Sequence, residues 1–151
     1  MSAEWTAQRR WNEARVGDEI APVRFPLTVY RMVMMAGANR DFNAIHHNTE
    51  HARSTGAPEM YANVMFLQGM WERTVREYIG IAGGLHAIRG FRMKSFNTVG
   101  DTVTVRGRIE RKWIDDSAAT VSRHRLELTV WSENRDGVSV GPGRVVVSLP
   151  P

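Results

Sequence analysis

Asp41 and His46 are the two residues of this sequence whose types and spacing best suit catalysis. They lie in the stretch RDFNAIHHN, residues 40 to 48. On a continuous helix a separation of five residues would place them about 140° apart, so the side chains meet only if the chain turns between them. A carboxylate and an imidazole in one pocket can hold a water molecule, remove one proton and deliver another. The stretch therefore indicates acid–base chemistry, with Asn43 as a polar residue that could orient either partner.

The same stretch permits two other interpretations. Asp41 could be a turn residue at the end of a helix, with His46 as a structural histidine. A metal site is the other alternative, because His47 and His51 are four residues apart and His46 is adjacent. Neighbouring histidines on a turn point in different directions, and no third ligand has a diagnostic spacing, so we expect no metal. Spacing alone leaves catalysis and a structural role open.

The length and composition of the chain indicate one compact domain. The chain has 151 residues, of which 42% are hydrophobic, and this is sufficient for a core. No linker or repeat divides it, so we expect a single domain over residues 1–151. The absence of cysteine excludes disulfides and thiolate metal sites. No apolar run has the length of a signal peptide core or a membrane span, so we expect a soluble, cytoplasmic protein without membrane contact.

The chain is basic, with a formal net charge of +4, and nearly all of its cations are arginines. The arginines are scattered and form no dense run with interleaved aromatic residues, so we expect no nucleic acid partner. A small ligand that carries phosphate groups explains the excess equally well, with Arg89, Arg92 and Lys94 among the candidates. A solvated basic surface is the third explanation.

Three helices are predicted in the first half of the chain. Thr28 could cap a helix that ends at Ala36-Gly37, and Asn48 could cap a short helix that ends at Gly56.

The longest helical pattern begins near Asn63. Its apolar residues have helical spacing, and Gly80 ends it; they are Val64, Leu67, Trp71, Val75 and Tyr78. Asn63 is a good N-cap, which would leave the N–H of Val64 free at the positive end of the helix. A start at Pro58-Glu59 is also well formed and would bury that N–H in the helix.

The second half has the pattern of a β-sheet. Four strand-like runs occupy residues 87–96, 101–113, 119–131 and 137–150. In the second run Val103, Val105 and Ile109 alternate with polar residues, which is typical of a half-buried antiparallel strand. The tetrapeptide NRDG at 134–137 predicts a hairpin turn. A curved antiparallel sheet around one long helix is an α+β arrangement.

The sequence resembles the MaoC-like (R)-specific enoyl-CoA hydratases and dehydratases. The matching segments are VGDEI at 16–20, FPLT at 25–28 and DFNAIH at 41–46, and the resemblance covers almost the whole chain. It implies the hotdog fold, in which a curved antiparallel sheet wraps a long central helix. It also implies reversible addition of water to a trans-2-enoyl thioester, giving the (3R)-hydroxyacyl thioester without a cofactor.

The resemblance assigns roles to five residues. Asp41 and His46 would be the catalytic pair, and Asn43 a supporting polar residue that contacts substrate. The family's Ala-His-Gly-Met motif at the start of the central helix places Asn63 at the histidine, as a substrate contact or simply a capping residue. The motif places Val64 at the glycine, whose N–H holds the thioester oxygen. The substrate would be an acyl-CoA or acyl-carrier-protein thioester. The active sites would lie at the interface of a homodimer, or of a heteromer with a second MaoC-like subunit.

Some residues depart from the family pattern. Arg40, Ala44 and Asn48 replace a glycine, a proline and an aspartate, respectively. This form is similar to the small MaoC-like subunits of actinobacterial steroid side-chain degradation, which work with a second MaoC-like subunit, and it implies a bulky enoyl-CoA. Two alternatives stay open: a hotdog acyl-CoA thioesterase, and a subunit that is active only with a heteromeric partner.

Overall fold

The computed structural model describes residues 8–118 and 123–151, which form a five-stranded antiparallel sheet and several helices. The strands are β1 (Glu19–Pro26), β2 (Gly84–Arg89), β3 (Thr102–Ile114), β4 (His124–Asn134) and β5 (Gly137–Ser148). Their order in the sheet is β1-β3-β4-β5-β2. The α-helices of the described ranges are α1 (Val29–Ala38), α2 (Thr49–Ser54) and α3 (Val64–Ile79). The predicted α+β class is confirmed.

The core lies between α3 and one face of the sheet. Leu67, Trp71 and Val75 of α3 are fully buried, and they belong to the same apolar cluster as residues from β3, β4 and β5. Val103 and Val105 of β3 are also fully buried, as their alternation predicts. Complete burial of one such side chain contributes about 1.5–3 kcal/mol, so this contact holds the long helix against the sheet.

Side-chain caps set the start of each α-helix. The Thr28 hydroxyl accepts a hydrogen bond from the Arg31 N–H at 3.2 Å. The Asn48 side chain accepts from the His51 N–H at 2.8 Å. The three predicted helices and their capping residues Thr28, Asn48 and Asn63 are confirmed. A capping oxygen satisfies one of the N–H groups that the first turn of a helix leaves without a partner.

The alternative start of α3 at Pro58-Glu59 is wrong, because Glu59 is committed to other contacts. The Thr49 hydroxyl and the Met60 N–H both donate to its carboxylate, and Arg53 forms an ion pair with it at 3.1 Å. These partners, with the Thr49 hydrogen bond as the largest effect, hold the pKa of Glu59 below its usual value. Glu59 therefore holds the loop between α2 and α3 against α2, and α3 begins only at Val64.

Two strand predictions need correction. β1 lies in the half of the chain where the pattern predicts helices, and the sequence gives no sign of it. Ile20 is the only fully buried residue of this strand, so no alternation marks it. The strand predicted over 87–96 ends at Arg89, since Gly90 adopts a φ of 67° and interrupts the ladder. Met93 then forms an isolated bridge to Val140 of β5. The other predicted strands correspond to β3, β4 and β5, and residues 119–122 at the start of the third run lie outside the described ranges.

A buried hydrogen bond joins α3 to the sheet and gives a test of the core. The Trp71 indole N–H donates to the Ser132 hydroxyl at 2.8 Å, and both residues are fully buried. Ser132→Ala would leave this N–H without an acceptor. We expect the free energy of unfolding, measured by urea denaturation, to fall by about 1–3 kcal/mol.

Ser139→Ala is the matched control for Ser132→Ala. Ser139 is equally buried, but its hydroxyl donates a long 3.4 Å bond to the Ser132 backbone carbonyl, so its removal leaves no donor unpaired. We expect a smaller loss of stability than for Ser132→Ala. Equal losses of stability in the two variants would show that the hydrogen bond from the Trp71 indole contributes no more than that of the Ser139 hydroxyl.

Candidate active site

Asp41 and His46 meet, as the sequence indicated they would if the chain turned between them. Asp41 Oδ2 lies 3.1 Å from His46 Nε2. The chain turns through a short 3-10 segment, Ala44–His46, which Asn43 caps by accepting a hydrogen bond from the Ile45 N–H at 3.2 Å. The His46 side chain is 9% exposed and that of Asp41 is 38% exposed. A ligand from solvent can therefore reach the carboxylate, while the imidazole is enclosed.

A backbone carbonyl fixes the orientation of the His46 ring. His46 Nδ1 lies 2.8 Å from the Tyr61 carbonyl oxygen. A carbonyl oxygen can only accept, so Nδ1 carries a proton and donates it. The Tyr61 ring also packs edge-on against the imidazole, with 5.4 Å between the ring centroids. Nε2 is therefore the nitrogen that faces Asp41.

A hydrogen bond between Asp41 and His46 would need a proton between the two atoms. An unprotonated Nε2 and a carboxylate oxygen both accept hydrogen bonds, so neither can donate to the other without it. With Nδ1 donating to the Tyr61 carbonyl, that proton would reside either on the carboxyl group or on Nε2. In both cases the pair would contain one proton to give and one basic atom to receive another. A reaction that removes one proton and adds one needs both of these groups.

The backbone at the end of α1 positions Asp41. Its N–H donates to the Ala36 carbonyl at 2.9 Å, and the Arg40 N–H donates to the Gly37 carbonyl at 3.1 Å. These two bonds form a Schellman motif, which closes a helix through one residue in the left-handed conformation. That residue is Arg40, with a φ of 54°. A non-glycine residue in this conformation costs about 1–2 kcal/mol, so the site contains local backbone strain.

Arg40→Gly should relieve the strain beside Asp41. We expect the variant to gain about 1 kcal/mol in the free energy of unfolding, measured by urea denaturation, because glycine adopts positive φ without a steric cost. Arg76→Gly is the control: Arg76 is an exposed residue inside α3, where glycine should cost about 1 kcal/mol. If both changes destabilise the protein equally, Arg40 is not strained.

Asn63 and Val64 form the start of α3. The Asn63 side-chain oxygen accepts a hydrogen bond from the Phe66 N–H at 2.8 Å, so Asn63 is the N-cap and Val64 the first helical residue. The N–H of a first helical residue lies outside the helical hydrogen-bond ladder, at the positive end of the helix dipole.

Two hydrogen bonds connect this helix start with the segment that carries Asp41 and His46. Tyr61 accepts from His46, and Asn39 donates through its side-chain amide to Asn63 Oδ1 at 3.2 Å. Residues 39–46 and 61–64 are thus held together, with the Asp41–His46 pair on one segment and Val64 on the other. The sequence did not single out Asn39 or Tyr61 for these contacts. Every residue has a backbone carbonyl, so the residue type gives no sign of the Tyr61 contact. Asn39 and Asn63 are 24 positions apart in the chain, so no local pattern relates them.

The metal alternative gains no support. In the described part of the chain, no three histidine, aspartate or glutamate side chains are grouped so that they could hold a metal ion. The His47 ring nitrogen Nε2 lies 3.3 Å from the Phe42 carbonyl oxygen, which is a contact within its own loop.

Over the same described residues, no helix combines the length and the apolar character that crossing a bilayer demands.

Comparison with known proteins gives structural neighbours only. No protein-family profile matches the sequence, and the search of curated proteins found no significant match. The crystal structure of the ChsH1-ChsH2 complex from Mycobacterium tuberculosis contains a chain that is 24% identical, with a TM-score of 0.78; the match covers 90% of this chain and 98% of that one.

Two (R)-hydratases are also similar in structure. The R-hydratase PhaJ1 from Pseudomonas aeruginosa is 17% identical with a TM-score of 0.80, and the match covers 93% of this chain and 85% of that one. The (R)-hydratase from A. caviae involved in PHA biosynthesis is 20% identical with a TM-score of 0.77, over 91% of this chain and 98% of that one. The fold implied by the sequence resemblance is thereby confirmed. The chain has the hotdog fold of the MaoC-like dehydratases and (R)-hydratases.

Proposed function

We propose that the protein is a hydro-lyase that adds water reversibly to a trans-2-enoyl thioester and forms the (3R)-hydroxyacyl thioester. The Asp41–His46 pair carries this proposal: a partly exposed carboxylate touches an enclosed, oriented imidazole at 3.1 Å, on a segment tied to the start of α3. The fold shared with (R)-hydratases supports the same reaction class. Neither the pair nor the addition of water calls for a cofactor.

Water addition needs two proton transfers, and the pair can perform both. A water molecule held by Asp41 and His46 attacks C3 of the enoyl group, and one of the two residues takes its proton. The other residue gives a proton to C2. Because the pair starts with one transferable proton and receives one from water, it ends each turnover with the same number. The geometry fits either assignment of base and acid.

Attack at C3 moves negative charge onto the thioester oxygen, which must be stabilised. The Val64 N–H is suited to this because it lies outside the helical ladder, at the positive end of α3. A donor that is already oriented toward developing charge contributes more to the transition state than to the ground state. Asn43, which caps the turn through its oxygen, is proposed to contact the substrate through its exposed side chain.

We further propose that the protein acts as a homodimer or with a second MaoC-like subunit. Large apolar side chains close in sequence to the site are exposed: Phe42 by 71%, Val64 by 50% and Met65 by 58%. Such exposure is typical of a surface that another chain covers. The neighbour from the ChsH1-ChsH2 complex, which the match covers almost completely, supports a heteromer.

A bulky acyl group is the proposed substrate type. A cavity of about 400 Å³ lies between α1, β1 and α3, within the size range of small-molecule sites. Its lining is largely apolar, and includes Phe25, Met34 and Phe66. Phe66 belongs to the first turn of α3, so the cavity begins near the helix start, and we propose that the acyl chain extends into it.

The reaction is tested with enoyl thioesters and two site variants. Purified protein is assayed by the ultraviolet absorbance of the enoyl thioester, with crotonyl-CoA and a bulky enoyl-CoA in parallel. We expect Asp41→Asn and His46→Ala each to lower kcat by on the order of 10²–10⁴, because each removes a proton-transfer group. Asp136→Asn and His51→Ala, which alter exposed residues of the same types, should keep full activity.

The products distinguish the proposed reaction from thioester hydrolysis. Release of free CoA without hydroxyacyl-CoA would identify a thioesterase. Full activity in both Asp41→Asn and His46→Ala would contradict the mechanism. If the chain is active only when it is co-expressed with a MaoC-like partner, the heteromeric form of the proposal is correct.

A further inference from the structure

We propose that the Asn63 side-chain amide is a second hydrogen-bond donor to the thioester oxygen, and that Asn39 is the positioning residue that orients it. The inference rests on the proposed hydratase function. It gives Asn63 a role beyond capping the helix. The reasons are the burial of its amide nitrogen, the fixed orientation of the amide group, and its position beside Val64.

The Asn63 amide nitrogen is a buried donor with no partner. The residue is 4% exposed, and within residues 8–118 and 123–151 Nδ2 makes no hydrogen bond. An enclosed donor without an acceptor costs about 1–3 kcal/mol. Such groups are uncommon in folded proteins and are found where a ligand or an ordered water supplies the acceptor. The oxygen of a bound thioester is an acceptor that would complete this site.

The orientation of the Asn63 amide is determined by its neighbours. Its oxygen accepts two hydrogen bonds, from the Phe66 N–H at 2.8 Å and from the Asn39 amide at 3.2 Å. A flipped amide would direct its NH₂ group at two other donors and lose both bonds. Asn63 therefore presents Nδ2 away from the helix ladder. Asn39 is the only one of the two partners that contributes a side chain, so it can be removed without changing the helix backbone.

Position links this donor to the proposed reaction. Asn63 directly precedes Val64, whose backbone N–H is the proposed donor to the thioester oxygen. Asn39 lies two residues before Asp41, and Tyr61, two residues before Asn63, holds His46. Two donors that converge on one oxygen are the usual arrangement for stabilising an oxyanion. Exclusion of water from Nδ2 strengthens a hydrogen bond to developing negative charge.

Asn63→Ser separates the donor role from the capping role. Serine caps helices about as well as asparagine, but it has no amide NH₂ group. Asn48→Ser is the matched control, since it makes the same change at the cap of α2. Both variants should keep nearly the same melting temperature relative to the wild type. We expect kcat for hydration to fall on the order of 10²-fold in Asn63→Ser, with little change in KM, and to stay unchanged in Asn48→Ser.

Asn39→Ala provides a second, independent variant. It keeps Asn63 and its cap but removes the bond that orients the amide, so we expect a smaller fall in kcat, about tenfold, at unchanged KM. A purely structural role for either asparagine predicts lower thermal stability with kcat preserved. If wild-type kcat persists in both Asn63→Ser and Asn39→Ala, the donor role is wrong while the hydratase function stands. A wild-type protein that hydrates no enoyl thioester, alone or with its partner, would overturn both.

Discussion

The hydrogen bond from His46 to the Tyr61 carbonyl is the contact on which the candidate site depends. It fixes the proton on Nδ1, turns Nε2 toward Asp41, and ties the loop after α1 to the residues that lead into α3. Without this bond the ring could rotate, and the carboxylate would lose its partner. A single backbone acceptor therefore determines which nitrogen of the His46 ring faces Asp41.

The site is built on the ends of helices rather than on the sheet. Asp41 follows the Schellman motif of α1, His46 closes a 3-10 turn, and Val64 opens α3. The sheet and the buried face of α3 form the apolar core that holds these ends in place. The strain at Arg40 is tolerated because the hydrogen bonds that end α1 and the contacts of the following loop fix the backbone there. Burial in the core offsets the energetic cost.

Local signals made part of the structure predictable from sequence. A capping side chain lies within three residues of the N–H that it satisfies, so Thr28, Asn48 and Asn63 marked three helix starts correctly. The sequence also predicts that Asp41 and His46 meet if the chain turns between them. β1 had no such signal, because an edge strand with one buried residue shows no alternation.

Long-range contacts were beyond the reach of the sequence. β2 begins at Gly84, three residues before the start of the predicted strand, because its pairing with Ser148 is set by β5. The bond between Asn39 and Asn63 and the use of the Tyr61 carbonyl likewise appear only in three dimensions. The roles of Asp41, Asn43, His46, Asn63 and Val64 in binding or catalysis remain proposals that the geometry supports.

The most direct measurement is a crystal structure of the protein, with its partner subunit if one is required, bound to a (3R)-hydroxyacyl-CoA. We predict that the hydroxyl group on C3 lies within hydrogen-bond distance of Asp41 and His46. The thioester oxygen should lie about 3 Å from the Val64 N–H. A bound thioester whose reacting carbons lie away from the Asp41–His46 pair would contradict the proposed site.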